Sequence, residues 1–401
     1  MLRAISAVIT IMLAWPVMAA EPQAARSLRI GVLVAHTSPS GEASGDGSVL
    51  AARMAIEDFG GKMFGLPVAI VTGDHHNRPS VGTTIARRWL EHGGADVIID
   101  VPNPAVADAV RLAVVKHDGL MILSQTGIRT NMECQSNIIS WTFDGALVAR
   151  GAIAAMRKHD MSSWLLLSPD TYQRANAAGA MLEIMREANV AVDDSHQFTF
   201  RNRGPMEEQT GNLAEKLLEH PSAVIALNAG PLATKAVTKR LQQELADRRL
   251  PRLYSPLYPV MGDSAPALAA IADELIYALP YQQDSPAVAD FTQRFKSRAD
   301  GRSPNVIQIG VYSAVRHYLR AVALLGSAQP GGQAGAAMQE LPIDDPIFGA
   351  GTILPDGRRL GALEIMAHHP GITPDRILAH HAYDEKEAQE ARARCGKNDA
   401  Q

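Results

Sequence analysis

The sequence predicts an α/β architecture of two lobes, each built on a parallel sheet, and three observations carry that reading. Apolar runs too short for helices alternate with amphipathic helices along most of the chain. The alternation breaks once, over residues 128–141, and then starts afresh. With 401 residues, 46% of them hydrophobic, the chain is long enough for two cores, because single cores rarely grow beyond about 250–300 residues.

The first unit spans 28–59. Residues 28–34 form a short apolar run with β-branched positions, which reads as a buried strand. Ala52, Ala55, Ile56 and Phe59 fall at i, i+3, i+4 and i+7 and give the following helix one apolar stripe. Between them, 36–47 is rich in glycine and hydroxyl residues at the carboxyl end of the strand, where open α/β sheets bind ligands. A second strand at 66–72 leads to a helix with Asn77 as its cap and Pro79 in its first turn, ending at Gly93-Gly94. Strands at 97–99 and 120–123 flank a helix over 106–116. Such regular alternation requires βαβ crossovers and a parallel sheet.

The second lobe restarts with a helix over 146–158 and a strand at 164–167. Helices near 175–188, 211–220 and 232–245 alternate with strands at 197–200, 223–227, 252–255 and 275–279. Two amphipathic helices, 288–298 and 306–325, are too few for a third domain and are assigned to the first lobe. Residues 330–337 read as a Gly/Ala surface loop, 348–383 as short strands and turns, and 384 onward as a charged, poorly ordered tail. The expected organisation is therefore 28–141 plus 281–345 for lobe 1 and 142–280 plus 346–383 for lobe 2. Residues 384–401 form the tail.

Residues 1–20 are set apart. Arg3, an apolar stretch over 4–15 and small residues around Ala19 and Ala20 match a secretory signal, and the stretch is shorter than the roughly 20 residues a membrane span needs. The formal charge of −4 becomes −5 when Arg3 leaves with that segment, and no long stretch is dominated by one sign, so nothing points to a nucleic-acid partner. In an oxidising compartment Cys134 and Cys395 can pair and tie the tail to the body; two separate thiols are the alternative. Three histidine pairs, His75-His76, His368-His369 and His380-His381, invite a metal reading. Adjacent side chains diverge on a strand or a helix, so one pair does not chelate one ion, and neither a metal nor a cofactor is expected. The 41–47 run lacks the Gly-Lys-Ser/Thr ending of a phosphate loop, and no nucleophile elbow or His-Glu-x-x-His motif occurs. Catalysis has no motif behind it.

The stretch 29–33, the turn 38–41, the helix 51–57, the junction 74–79, residues 94–98 and the crossover 134–141 occur in an order that resembles the type I periplasmic binding proteins. The likeness is greatest to the leucine/isoleucine/valine-binding branch that serves ABC importers. It implies two Rossmann-like lobes joined by a three-crossing hinge, with the solute held between loops at the strand carboxyl ends. Carried over position by position, it names Ser38, Asn103, Ala105, Ser124 and Thr126 in the first lobe and Tyr172, Asn228 and Tyr258 in the second. Amino-acid binders of this branch hold the ligand ammonium with an acidic residue of the second lobe. The loops 228–231 and 254–259 contain none, and Asp170 is the available substitute. Tyr172, Tyr254 and Tyr258 lie among polar and turn-forming residues and suit a pocket wall for an apolar or aromatic ligand body.

The function these residues imply is that of a periplasmic receptor. It would be a monomer that closes over a small organic solute, amino-acid-like, an amide or an aromatic carboxylate, and delivers it to an inner-membrane ABC permease. Two alternatives use the same cleft. One is a sensory subunit that docks on a membrane receptor, and the other is a secreted enzyme with Asp170 or a histidine as base.

Overall fold

The computed structural model describes residues 26–36, 44–124, 134–142, 144–161, 163–170, 177–198, 213–220, 224–256, 265–327, 331–381 and 385–396. The expected signal at 1–20 lies outside them. The chain opens with β1 (Arg29–Val34), α1 (Asp46–Asp58), a hairpin of β2 (Lys62–Met63) and β3 (Leu66–Pro67), β4 (Ala69–Asp74) and α2 (Pro79–Glu91). It continues through β5 (Val97–Asp100), α3 (Pro104–Lys116), β6 (Met121–Leu123) and β7 (Ile138–Ser140). Five of these strands form one sheet in the order β4-β1-β5-β6-β7, parallel throughout.

The next run is α4 (Gly145–Arg157), β8 (Ser163–Pro169), α5 (Ala177–Glu187), β9 (Ala191–Phe198), α6 (Leu213–Glu219) and β10 (Val224–Leu227). It ends with α7 (Pro231–Leu245), β11 (Leu250–Tyr254), α8 (Ala265–Ala269) and β12 (Ala272–Leu279). Three helices follow, α9 (Pro286–Lys296), α10 (Val306–Leu325) and α11 (Gly331–Glu340). Then come β13 (Ile343–Asp345), β14 (Gly349–Ile353), β15 (Arg359–Gly361), β16 (Leu363–His368), β17 (Arg376–His381) and α12 (Glu385–Gly396). The second sheet runs β17-β16-β12-β11-β10-β8-β9, parallel from β9 to β12 and antiparallel through β16 and β17. The chain passes between the two sheets three times, after β7, after β12 and between β15 and β16, the number of crossings that the family resemblance implies.

Alternation of side chains across each strand gives the two large sheets two apolar faces each. In the first sheet Ile30, Val32, Val97, Ile99 and Ile122 face α1 and α10, while Leu33, Ile98, Met121 and Leu123 face α2 and α3. In the second, Trp164, Leu166 and Val224 pack under α4 and α5, and Leu165, Leu167 and Ile225 under α6 and α7. Burial of each such side chain stabilises the fold by about 1.5–3 kcal/mol.

Several elements differ from the sequence reading. Asn77 does not cap α2: its φ is 55°, and the cap position belongs to Arg78, with Pro79 opening the helix. Residues 331–340 are helical, and the glycines that read as a loop allow close packing, since a Cβ on Gly335 would sit 1.9 Å from the Ser136 carbonyl oxygen. β9 begins at Ala191, earlier than expected, because a polar edge strand paired with β8 alone carries no apolar signature. β14 pairs with both β13 and β15 and lies against α11, so the chain rejoins the second sheet at β16 and not at the expected 346. The charged tail is helical over Glu385–Gly396. A disulfide joins Cys134 to Cys395, and Ala388 and Ala391 are buried against Leu147, Leu354 and Leu360.

Candidate functional site

Each sheet presents polar side chains at the carboxyl ends of its strands. In the first sheet they centre on Asp100, which ends β5, is fully buried, and has a φ of 85°. Its carboxylate accepts a hydrogen bond from Ser44 Oγ at 2.5 Å, in the loop before α1, and another from Ser124 Oγ, just past β6. Ser124 also donates its backbone N–H to the Asp100 carbonyl at 3.2 Å. Burial pushes the Asp100 carboxyl above the usual range, and the serine hydroxyls oppose that shift. One carboxylate thus braces three loop segments of the sheet edge.

A second cluster lies at the end of β4. His75 is buried, and its Nδ1 accepts the Asn77 N–H at 3.0 Å, which leaves the proton of the neutral ring on Nε2. Nε2 has no hydrogen-bond partner among the described residues. Burial lowers the His75 pKa from 6.5 to about 4, so the ring is neutral at pH 7. Asn103 is the cap of α3: its Oδ1 accepts from the Ala105 and Val106 amides at 2.9 and 3.2 Å, and its Nδ2 donates to Asn77 Oδ1 at 3.2 Å.

In the second sheet Asn228 follows β10 and donates its amide to the Leu167 carbonyl at 2.9 Å. Ser168, within β8, and Ser255, just past β11, are buried, and their hydroxyls have no partner among the described residues. Tyr254 is not a pocket wall. It is fully buried, 5.8 Å edge-on from Trp164, and burial raises its pKa.

Of the residues named from sequence, Ser124, Asn103, Ala105 and Asn228 therefore lie at the expected sheet edges. Ser124 is turned onto Asp100, and Asn103 and the Ala105 amide are paired with each other. Ser38, Thr126, Tyr172 and Tyr258 lie outside the described residues. Sequence reasoning passed over Asp100, Ser44 and Ser168; the signal available for Asp100 was an acidic residue closing a wholly apolar strand. Three of the four histidines in the other two pairs turn to separate carboxylates: His368 lies 2.8 Å from Asp375, His369 3.6 Å from Glu274 and His380 3.5 Å from Glu364.

A cavity of about 650 Å³ opens between the end of β12 and the α9–α10 pair. Leu279, Tyr281, Val288 and Val306 line its apolar part, and Gln283 and Lys296 its polar part. It contains none of the residues named from sequence and lies beside the second crossing.

Comparison with known proteins agrees with this architecture. A family model described as periplasmic binding protein matches residues 27–367. A periplasmic binding protein from Burkholderia mallei is similar in structure, with a TM-score of 0.76 at 21% identity over 89% of this chain and 95% of that one. A branched-chain amino acid ABC transporter periplasmic ligand-binding protein from Burkholderia xenovorans gives 0.75 at 23% identity, over 89% and 96%. A solute-binding protein of an ABC transporter from R. palustris, in complex with benzoate, gives 0.73 at 15%, over 90% and 98%. Comparison with curated proteins gives no match. Matched by the family model over most of its length and folded as these solved structures fold, the chain belongs to the periplasmic binding protein family.

Proposed function

We propose that this protein is the solute receptor of an ABC importer. It is exported with residues 1–20 removed, acts as a monomer in the periplasm, and hands a small organic solute to an inner-membrane permease. The observation that carries the reading is the pair of mainly parallel sheets, each with polar side chains at its strand carboxyl ends, strung on three crossings. Asp100, Ser44 and Ser124 stand on one side, and Ser168, Asn228 and Ser255 on the other. A ligand that touches both lobes gains its full contacts only when they close, so it shifts the population toward the closed form.

The lobes are 28–141 with 281–361 and 142–280 with 362–381, the last boundary following sheet membership. Ser38, Thr126, Tyr172 and Tyr258 complete the ligand contacts, with Asn103, Ala105, Ser124 and Asn228 in the loops that shape the wall. The similar proteins support a solute that is a branched-chain amino acid or an aromatic carboxylate. The activity is binding without turnover.

A thermal-shift screen of residues 21–401 tests this, with branched-chain amino acids, benzoate, hydroxybenzoates and amides as probes. A solute held at a hundred times its Kd adds about 2.7 kcal/mol to the folded state. The expected result is a shift with one chemical class, weakened by Tyr172→Ala and Ser124→Ala, with the solute recovered intact. Chemical conversion of the solute, or no shift with any class, overturns the reading.

A further inference from the structure

The first crossing runs from Trp141 to Asp144, between β7 of the first sheet and α4 of the second. α12 lies across its two ends. On the first-lobe side Cys395 is disulfide-bonded to Cys134, which precedes β7. On the second-lobe side Ala388 and Ala391 are buried against Leu147, in the first turn of α4. The same apolar seat includes Leu354 and Leu360, which flank the turn leading into the third crossing.

That turn is bound to the first crossing as well. The Ser140 amide donates to the Gly357 carbonyl at 2.9 Å, and the Arg359 guanidinium donates to the Trp141 and Thr142 carbonyls at 2.6 and 3.2 Å. Asp356, whose side chain is wholly buried, takes both Arg358 and, at 2.6 Å, Arg394 of α12. A helix at the end of the chain is thus fastened to both sides of the hinge, covalently on one and by apolar packing on the other.

We propose that α12 is a redox-releasable strap that restrains the first and third crossings and so sets how readily the lobes move. Its covalent fastening opens by thiol–disulfide exchange with a dithiol reductant. Thiolate attack breaks the Cys134–Cys395 bond, and the second thiol of the reductant resolves the mixed disulfide. Two electrons and two protons pass to the protein, leaving two cysteine thiols and a cyclic disulfide of the reductant. The ion pair of Arg394 with Asp356 and the alanine seat then hold α12 alone, without the covalent tie.

Hydrogen–deuterium exchange on the mature chain, oxidised and after dithiothreitol, tests the strap. Reduction is expected to raise exchange at least about tenfold in peptides covering 141–147 and 358–363 while leaving β1 and β10 unchanged, because local opening exposes only the restrained segment. Ala391→Asp, which keeps the disulfide and destroys the apolar seat, is expected to raise the same peptides. Exchange that rises only within 385–396, that rises equally in β1 and β10, or that stays at the oxidised rate in the crossings overturns the strap. So does an Ala391→Asp chain whose crossings exchange as the parent does.

Discussion

Asp100 occupies a backbone region that favours glycine, and such a conformation costs on the order of 1–3 kcal/mol. It is retained with a buried carboxylate that satisfies two serine hydroxyls. Asp100→Ala keeps the strain, strips the Ser44 hydroxyl of its carboxylate and leaves Ser124 Oγ only the residue-100 carbonyl, so it should cost about 2–4 kcal/mol in urea unfolding, while Asp100→Gly should cost less by relieving the strain. His75 gives a separate acid response. Its folded pKa of about 4 lies below the ordinary 6.5, so the unfolded chain binds a proton that the folded chain refuses. Stability is full above 6.5 and falls as pH drops toward 4, by up to about 3 kcal/mol at 1.36 kcal/mol per pH unit. Denaturant titrations at pH 7, 5.5 and 4 should show this slope, and His75→Gln should flatten it. Neither arrangement is legible in the sequence. A sequence shows that serines crowd a strand end, but not that their protons point inward to a carboxylate. For the same reason the sequence does not show that the Asn103 side chain caps α3.

At the scale of elements, α10 was readable to its last residue because every local cue agrees. Asn305 and Gln308 form a reciprocal capping box, a wide apolar face runs the length of the amphipathic helix, and Gly326 ends it at a φ of 71°. α11 and β9 were misread for opposite reasons. Glycines there serve close approach to neighbouring backbone, and a polar strand hydrogen-bonds along an edge without needing an apolar face. Contact geometry of this kind is absent from a one-dimensional pattern. It also predicts a sensitive point on α10: a Cβ on Gly310 would lie 1.8 Å from Thr142 Oγ1 in the first crossing. Gly310→Ala should therefore destabilise the protein by about 1–3 kcal/mol, read as a lower denaturation midpoint with an unchanged m value.

At the scale of the whole molecule, the proposed receptor would bind its solute by a change of shape about the three crossings. Small-angle scattering should report a smaller radius of gyration once a stabilising solute from the thermal screen is added, and an unchanged radius would contradict lobe closure. The order of assembly follows from the same path of the chain. The five strands of the first sheet are complete by Ser140, yet the face bearing Ile30, Val97 and Ile122 is covered by α10, far downstream at Val306–Leu325. The second sheet in turn waits for β16 and β17, near the end of the chain. Each sheet therefore gains its last strands or its covering helix only from segments far down the chain, so the early strands wait through most of synthesis for the partners that bury them.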